Sequence, residues 1–225
     1  MGQLPICNYT NDVFPELIMF WGHNPIYSGP DGELGFGVKE ALTHKPNIIV
    51  VDPRETMLAK RADFWLQLRP GTDDALALAM LNVIISEGLE DTNFVESWCY
   101  GFEELAERVT KYTPEWAEPI TWVSAEKIRE AARLYAKVKP SMLEWGCAIE
   151  HTPACFQTVR ALLCLPSITG NIEQPGSWSF GMLPLPPFPQ LFDKMPQRQQ
   201  EKRLGYKEFK VLSGELAQLP SAHIP

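Results

Sequence analysis

Three short loops carry most of the side chains in this sequence that suit binding chemistry. They are Trp21-Gly-His-Asn-Pro25, Val51-Asp-Pro-Arg54 and Arg69-Pro-Gly-Thr-Asp73. Glycine lets a ligand approach the backbone closely, whereas Asn, Asp and Arg supply hydrogen bonds and charge. The first loop resembles a phosphate-cradling turn but matches neither GxGxxG nor a Walker sequence. An ordinary strand-to-helix turn uses the same residue types, so the first loop alone leaves that alternative open.

The second and third loops suit contacts with a nucleotide. Asp52 ends an apolar run, where dinucleotide folds bind ribose hydroxyls, and Arg54 suits a phosphate or a base. A salt bridge between Asp52 and Arg54 is the alternative. Asp73 lies in the predicted first turn of a helix, where its charge repels an anion. Its carboxylate is better suited to accept hydrogen bonds from a base edge such as guanine, although helix capping by Thr72, Asp73 and Asp74 also explains this loop.

A further group of polar residues follows Trp145. Glu150 and His151 are candidates for proton chemistry, although most such pairs are solvated or structural. Cys147 is either a buried thiol or a ligand, and burial is the default for cysteine. The other histidines lack metal-ligand spacing with one another. The sequence therefore assigns no metal ligand and no catalytic residue beyond these two candidates.

Alternating strands and helices must position these loops. The predicted strands are Leu17–Trp21, Asn47–Asp52, Phe64–Leu68 and Pro140–Trp145. The predicted helices are Glu33–Thr43, Asp73–Gly88 with Thr72 as N-cap, Asn93–Trp98, Phe102–Tyr112, a helix from the Ser124 cap to Lys137, and Cys155–Ile168. This order predicts an α/β fold: an open, mainly parallel Rossmann-like sheet with helices on both faces.

We expect two parts in the chain: an α/β domain over residues 1–176 and an irregular proline-rich segment over residues 177–225. The helix after Thr72 is apolar nearly all round, with Asn82 its one polar residue between Leu76 and Ile85. Such a helix must be buried against the sheet. Ligands of open parallel sheets bind beyond the carboxyl ends of the strands, where the polar loops lie.

Composition excludes several classes of protein. The 225 residues carry 20 Lys and Arg against 28 Asp and Glu, a formal net charge of −8, so we expect no nucleic-acid partner. No apolar run approaches the roughly 20 residues of a membrane span. No signal peptide opens the chain, and its location, cytoplasmic or exported, stays open. An odd number of cysteines without a CxxC pair argues against a disulfide framework, a structural zinc site or a self-contained iron–sulfur cluster.

In their order and spacing the motifs resemble the molybdopterin oxidoreductase family, which includes dimethyl sulfoxide reductase, formate dehydrogenase and acetylene hydratase. The resemblance covers nearly all of Leu17 to Gly176. The motifs are the three loops, Gly101-Phe-Glu-Glu104, Tyr112-Thr-Pro-Glu115, Trp145-Gly146, Gln157-Thr-Val-Arg-Ala161 and Thr169-Gly-Asn171 with Pro175-Gly176.

The resemblance implies that this domain binds one of two molybdopterin guanine dinucleotides that hold molybdenum or tungsten. In the implied assignment, Gly22, Asn24 and Pro25 line the pyrophosphate, and Asp52 and Arg54 hold the guanosine end. Gly71, Thr72 and Asp73 hold the guanine, and Gly146 and Cys147 to His151 lie near the pterin and the metal. His23 and Pro53, in the first two loops, are also assigned to cofactor binding. The Asp73 carboxylate accepts hydrogen bonds from the guanine edge in this assignment.

Departures from the family indicate an internal fragment of a catalytic subunit that is inactive alone. Family members are usually several hundred residues longer. The Cys, selenocysteine or Ser that ligates their metal lies upstream of the Trp-Gly-x-Asn-Pro loop by more residues than this chain possesses. Their amino-terminal portion, which commonly carries an iron–sulfur cluster, is also missing. The domain that grips the second dinucleotide is also missing. Ser177 to Pro189 contains no Arg, whereas formate dehydrogenases carry an active-site Arg there, which argues against formate as the substrate.

Partners and alternatives follow from the fragment hypothesis. We expect contacts with the rest of the catalytic chain, an electron-transfer subunit in the parent, and self-association through apolar surface that the parent buries. The Glu150-His151 pair after Trp145-Gly146, in Trp-rich surroundings, favours as a hypothesis the acetylene hydratase and hydroxytransferase-like branch over formate dehydrogenase. A stand-alone guanine-nucleotide-binding module without catalysis, or an interaction domain with vestigial loops, stays open. The substrate and the metal are not predicted.

Overall fold

A computed structural model describes residues 6–7, 13–28, 33–179, 195–202 and 205–208. By its internal contacts the chain divides into two compact units, Met1–Gly181 and Met182–Pro225. The predicted boundary at residue 176 stays a prediction. The proline-rich stretch over residues 184–189 lies outside the described residues.

A four-stranded parallel sheet lies at the centre of the first unit. Its strands are β2 (Leu17–Trp21), β3 (Asn47–Val51), β4 (Phe64–Leu66) and β5 (Ser141–Trp145), in the spatial order β4-β3-β2-β5. A short antiparallel pair joins β1 (Ile6–Cys7) to β6 (Trp178–Ser179). All of β2 is buried, as expected for a strand covered on both faces. The predicted parallel α/β fold is confirmed.

Helices connect the strands and cover the sheet. They are α1 (Pro25–Ser28), α2 (Glu33–Thr43), α3 (Asp73–Ser86), α4 (Thr92–Trp98), α5 (Phe102–Val109), α6 (Pro114–Thr121), α7 (Ala125–Lys137), α8 (Cys147–Glu150) and α9 (Cys155–Ile168), with one 3-10 turn at Ala59–Arg61. In the second unit α10 (Gln197–Gln200) is a single turn. No helix among the described residues is long and apolar enough to cross a membrane.

Most predicted elements occur, with corrections at their ends. The predicted helix to Tyr112 ends at Val109, and the predicted strand to Leu68 ends at Leu66. Helix α6 was not predicted, although Thr113 caps it and Pro114 occupies its first turn, because Pro119 interrupts the pattern. The Ser124 cap is confirmed, since its hydroxyl accepts from the backbone N–H of Lys127.

Thr72 does not cap α3 with its side chain, contrary to the prediction. Its hydroxyl donates instead to the carbonyl oxygen of Arg69, 2.7 Å away. The loop before the helix turns back on itself and places that carbonyl within reach. The other end of the helix agrees with the prediction, because Gly88 has a φ of +63°, which favours glycine.

Helix α3 is buried nearly all round because other helices cover the sides that the sheet leaves open. Its apolar residues share one core with β2, β3 and β4 and with residues of α6, α7 and α9. A second core on the other face of the sheet contains Phe20, Val38 and Val50. The helices therefore flank the sheet on both faces, as predicted.

Asn82, the polar residue in the apolar middle of α3, forms hydrogen bonds with the backbone at the end of α5. Its amide nitrogen donates to the carbonyl oxygen of Val109 at 2.9 Å and to that of Thr110 at 3.4 Å. The side chain is 8% exposed. The end of α5 is therefore tied to the middle of α3 by a buried hydrogen bond.

We expect Asn82→Ala to lower the free energy of unfolding by about 1–3 kcal/mol, because the hydrogen bonds from the buried amide to the carbonyl oxygens of Val109 and Thr110 are lost. Urea unfolding of the full chain measures this change. Ser86→Ala, on the exposed side of the same helix, is the matched control and stays within about 0.5 kcal/mol of the wild type. Equal losses in the two variants would contradict the proposed role of the buried hydrogen bond.

Candidate functional site

The strand order places a switch point between β2 and β5. From β2 the chain continues to β3 and β4 on one side, then returns to pair β5 with the other side of β2. Ligands of open α/β folds bind in the crevice beyond the carboxyl ends of such strands. Gly22 follows β2 and Gly146 follows β5 at this point, so the loops predicted from the sequence do meet at one edge of the sheet.

The two glycines bring these loops into close contact. A Cβ atom on Gly146 would lie 2.8 Å from the carbonyl oxygen of Gly22 and 3.0 Å from Cδ2 of His23. Gly22 has a φ of +57°, and a Cβ there would lie 3.2 Å from the Cβ of Ala148 in α8. Both positions therefore require glycine, one for space and the other for its backbone conformation as well.

The rest of the first loop starts α1. The carbonyl oxygen of Asn24 accepts from the backbone N–H groups of Tyr27 and Ser28 at 3.0 and 2.9 Å. Pro25 is buried and occupies the first position of this short helix, where a missing N–H costs nothing. Asn24 and Pro25 thus lie directly beyond β2, as a ligand-binding loop requires.

Asp73 belongs to the same site because it contacts the end of β2. Its carboxylate accepts a hydrogen bond of 2.9 Å from the indole nitrogen of Trp21. Burial raises the pKa of Asp73 above its ordinary value, whereas the hydrogen bonds from Trp21 and from the backbone of Asp73 and Gly71 act in the opposite direction. The Asp73 carboxylate is therefore partly removed from water and held by donors, an arrangement that suits recognition of further N–H groups.

The loop before Asp73 is open on the side of Gly71. Gly71 has a φ of +81°, and an added Cβ there would meet no atom within 4 Å. Thr72 is half-buried, and its hydroxyl is bonded within the loop. A ligand can therefore approach the backbone at Gly71 without displacing a side chain.

Asp52 and Arg54 form the salt bridge that the sequence left as an alternative. The Oδ1 atom of Asp52 accepts from the backbone N–H of Arg54 at 2.8 Å and lies 3.4 Å from its Nε. Asp52 is 4% exposed, while the Arg54 side chain is 77% exposed. Trp65 donates from its indole nitrogen to the carbonyl oxygen of Asp52 at 2.8 Å. The buried acid therefore positions the loop, and Pro53 and Arg54 present its exposed surface.

The candidates after β5 lie on and just beyond α8, at the same edge. Glu150 accepts from the indole nitrogen of Trp145 at 3.2 Å, and His151 follows it on the surface. No hydrogen bond or ion pair joins Glu150 to His151 in the part of the chain that the structure describes. Cys147 is exposed, which differs from the burial expected by default.

Sequence reasoning missed Glu144, a buried carboxylate on β5. Its Oε1 lies 2.6 Å from Nδ1 of His23, and its side chain is 3% exposed. The sequence did contain a signal, because Glu144 is a charged residue in an otherwise apolar predicted strand. A buried charge requires a partner, so this position predicts a contact with a donor or a cationic group. Among the described residues, no three His, Cys, Asp or Glu side chains come together as a metal site.

The comparisons with known proteins agree with this architecture. The family described as molybdopterin oxidoreductase matches residues 14–208. Acetylene hydratase of Syntrophotalea acetylenica is 37% identical over 180 residues, which are 78% of this chain and 24% of that protein. Formate dehydrogenase H of Escherichia coli (strain K12) is 39% identical over 176 residues, again 78% of this chain and 24% of that protein.

A solved structure, acetylene hydratase from Pelobacter acetylenicus, has a TM-score of 0.77 and 32% sequence identity, and the match covers 94% of this chain and 29% of that chain. The chain belongs to the molybdopterin oxidoreductase family. It spans about a quarter of the length of the curated relatives that it matches. Similar identities to a hydratase and to a dehydrogenase do not distinguish their reactions, so the acetylene hydratase hypothesis stays a prediction.

The raised pKa of Asp73 predicts a pH-dependent contribution to stability. Between the ordinary value of 3.8 and the raised folded value, the folded chain binds more protons than the unfolded chain. The free energy of unfolding contributed by this group therefore falls as the pH rises through that interval. Asp73→Asn removes the ionisation, so we expect the stability of the wild type relative to this variant to decline over the same interval and to level off above it.

Urea unfolding of both chains at a series of pH values measures this difference. Direct titration of the Asp73 carboxyl by NMR is the companion measurement, and Trp21→Phe, which removes the indole donor, raises the pKa of Asp73 further. A difference in stability that does not change with pH would contradict the assignment.

Proposed function

We propose that this chain is a domain of a molybdenum or tungsten enzyme and that it binds one molybdopterin guanine dinucleotide at the switch-point crevice. The Asp73 carboxylate carries this proposal, because it lies beyond the end of β2, is held by the Trp21 indole, and begins a helix next to an open glycine. A carboxylate in that position matches the N–H and amino groups of a guanine edge.

The residues at the crevice suit the remaining parts of such a ligand. A Cβ atom added to Gly71 would meet no atom within 4 Å, so a ligand has room to approach the backbone there. The loop at Gly22 lies against the loop at Gly146. Arg54 is exposed beyond β3 and suits an anionic or aromatic group. Gly146 and Cys147 begin the loop after β5, where we place the pterin end.

The metal–pterin group, when bound, supplies the redox or hydration chemistry, and this domain binds and orients the group. Glu150 and His151 stay candidates for proton transfer in the full-length parent. The metal ligand, any iron–sulfur cluster and the electron-transfer partner belong, in this proposal, to other parts of that parent. We expect the isolated chain to bind without turnover.

Calorimetric titration of the chain with GDP, and with ADP as the comparison, tests the proposal. We expect guanine-selective binding, and we expect Asp73→Ala to weaken GDP binding about tenfold or more, because hydrogen bonds to a charged group are worth about 1.5–3 kcal/mol. Asp74→Ala is the matched control. Its carboxylate bonds to the backbone N–H of Ala75, and this variant keeps the wild-type affinity.

Equal binding of GDP and ADP would contradict the assignment of Asp73 to guanine. Binding of neither nucleotide would contradict a preformed site and favour an interaction domain with vestigial loops. Turnover or metal retention by this chain alone would contradict the view that it is one part of a larger enzyme.

A further inference from the structure

Glu144 is an unusual residue for its position. It lies on β5, between Leu143 and Trp145, and pairs in register with Phe20 of the neighbouring strand. Its side chain is 3% exposed. A carboxylate removed from water to this degree is costly unless a hydrogen-bonding or charged partner offsets the loss of solvation. Packing of the apolar strand therefore does not explain why this residue is acidic.

His23 is such a partner. Its Nδ1 atom lies 2.6 Å from Oε1 of Glu144, and both atoms are inaccessible to solvent. On another side of the ring, Cδ2 lies so near Gly146 that a Cβ there would meet it at 3.0 Å. The imidazole is thus confined between a carboxylate and a glycine, at the point where strands β2 and β5 end.

This confinement decides which ring nitrogen a ligand can use. Nδ1 faces the carboxylate and is buried, whereas 18% of the His23 side chain is exposed. Nε2 is therefore the ring nitrogen left for a ligand. A carboxylate that holds one nitrogen of a histidine fixes the orientation of the ring and the site of the other proton.

We propose that Glu144 is a positioning residue and that His23, held by it, donates from Nε2–H to a phosphate oxygen of a nucleoside diphosphate. In the bound state the pair holds two protons, one between Nδ1 and Oε1 and one on Nε2, so the pair is neutral as a unit. This inference rests on the proposed function, because it assigns the diphosphate part of the same ligand to His23. Asp73 recognises the base and His23 recognises the diphosphate.

Titration of the full chain with GDP and with guanosine separates these two roles. We expect His23→Ala to weaken GDP binding about tenfold, as for the loss of one charge-assisted hydrogen bond, while guanosine binding is unchanged. His23→Gln restores most of the GDP affinity, because its amide nitrogen reaches the position of Nε2. His44→Ala is the matched control, since His44 stacks on Phe14 next to the start of β3, and this variant binds both ligands normally.

Glu144 is tested by the same titrations and by NMR. We expect Glu144→Leu to reproduce the selective loss of GDP affinity. In the GDP-bound wild type, nitrogen-15 spectra of the His23 ring show Nε2 protonated, and Glu144→Leu alters that pattern. A spectrum of the free chain reports the contact between the two side chains independently of any ligand.

The outcomes distinguish this inference from the proposed function. If the wild type binds neither GDP nor guanosine, the proposed function fails. If guanine-selective binding occurs but His23→Ala leaves GDP affinity unchanged, or weakens guanosine equally, the role of His23 at the diphosphate is overturned alone. An unprotonated Nε2 in the GDP complex would overturn it as well.

Discussion

The close approach of the loops that follow β2 and β5 is the constraint on which the candidate site depends. The backbone N–H of Gly146 donates to the carbonyl oxygen of Trp21 at 3.3 Å, which extends the strand pairing into the loops. A side chain on Gly146 would collide with the carbonyl oxygen of Gly22. A side chain on Gly22 would be strained by its positive φ and crowded by α8. Because both positions are glycine, the strand ends stay together and the chain can turn sharply beyond them.

Because of that turn, the last residue of β2 and the loop that follows it contact two different acids, Asp73 and Glu144. Side chains alternate across a strand, so Trp21 lies in the core shared with α3, where its indole reaches Asp73. Glu144 is two residues from Met142, which lies in the core on the opposite face. The turn at Gly22 brings His23 to that second acid. One short segment, Trp21 to His23, thus contacts a carboxylate on each side of the sheet, and in the proposed function these two contacts separate base recognition from diphosphate recognition.

Much of this arrangement could be predicted from the sequence, and the reasons for the failures are physical. Strands β2, β3 and β5 are short apolar runs with clear ends, and the helix that begins at Asp73 is too apolar to be exposed. Helix α6 was missed because an internal proline breaks the pattern that marks a helix. The bond from Thr72 to Arg69 and the contact of His23 with Glu144 depend on how the backbone turns and on which strands become neighbours. Pairing of β2 with β5, more than a hundred residues away along the chain, is invisible to local spacing.

The burial of acids near the ends of the strands limits what the candidate site can recognise. Asp52, Asp73 and Glu144 would each oppose an anionic ligand if they acted as free charges. Each is instead engaged by a donor or a cationic group: Asp52 by Arg54, Asp73 by Trp21 and Glu144 by His23. In the proposed function, attraction for phosphate therefore comes from backbone N–H groups, Arg54 and His23. The carboxylates contribute orientation and recognition of donors. A ligand with N–H groups at one end and anionic oxygens further along satisfies both requirements, whereas a simple anion satisfies only one.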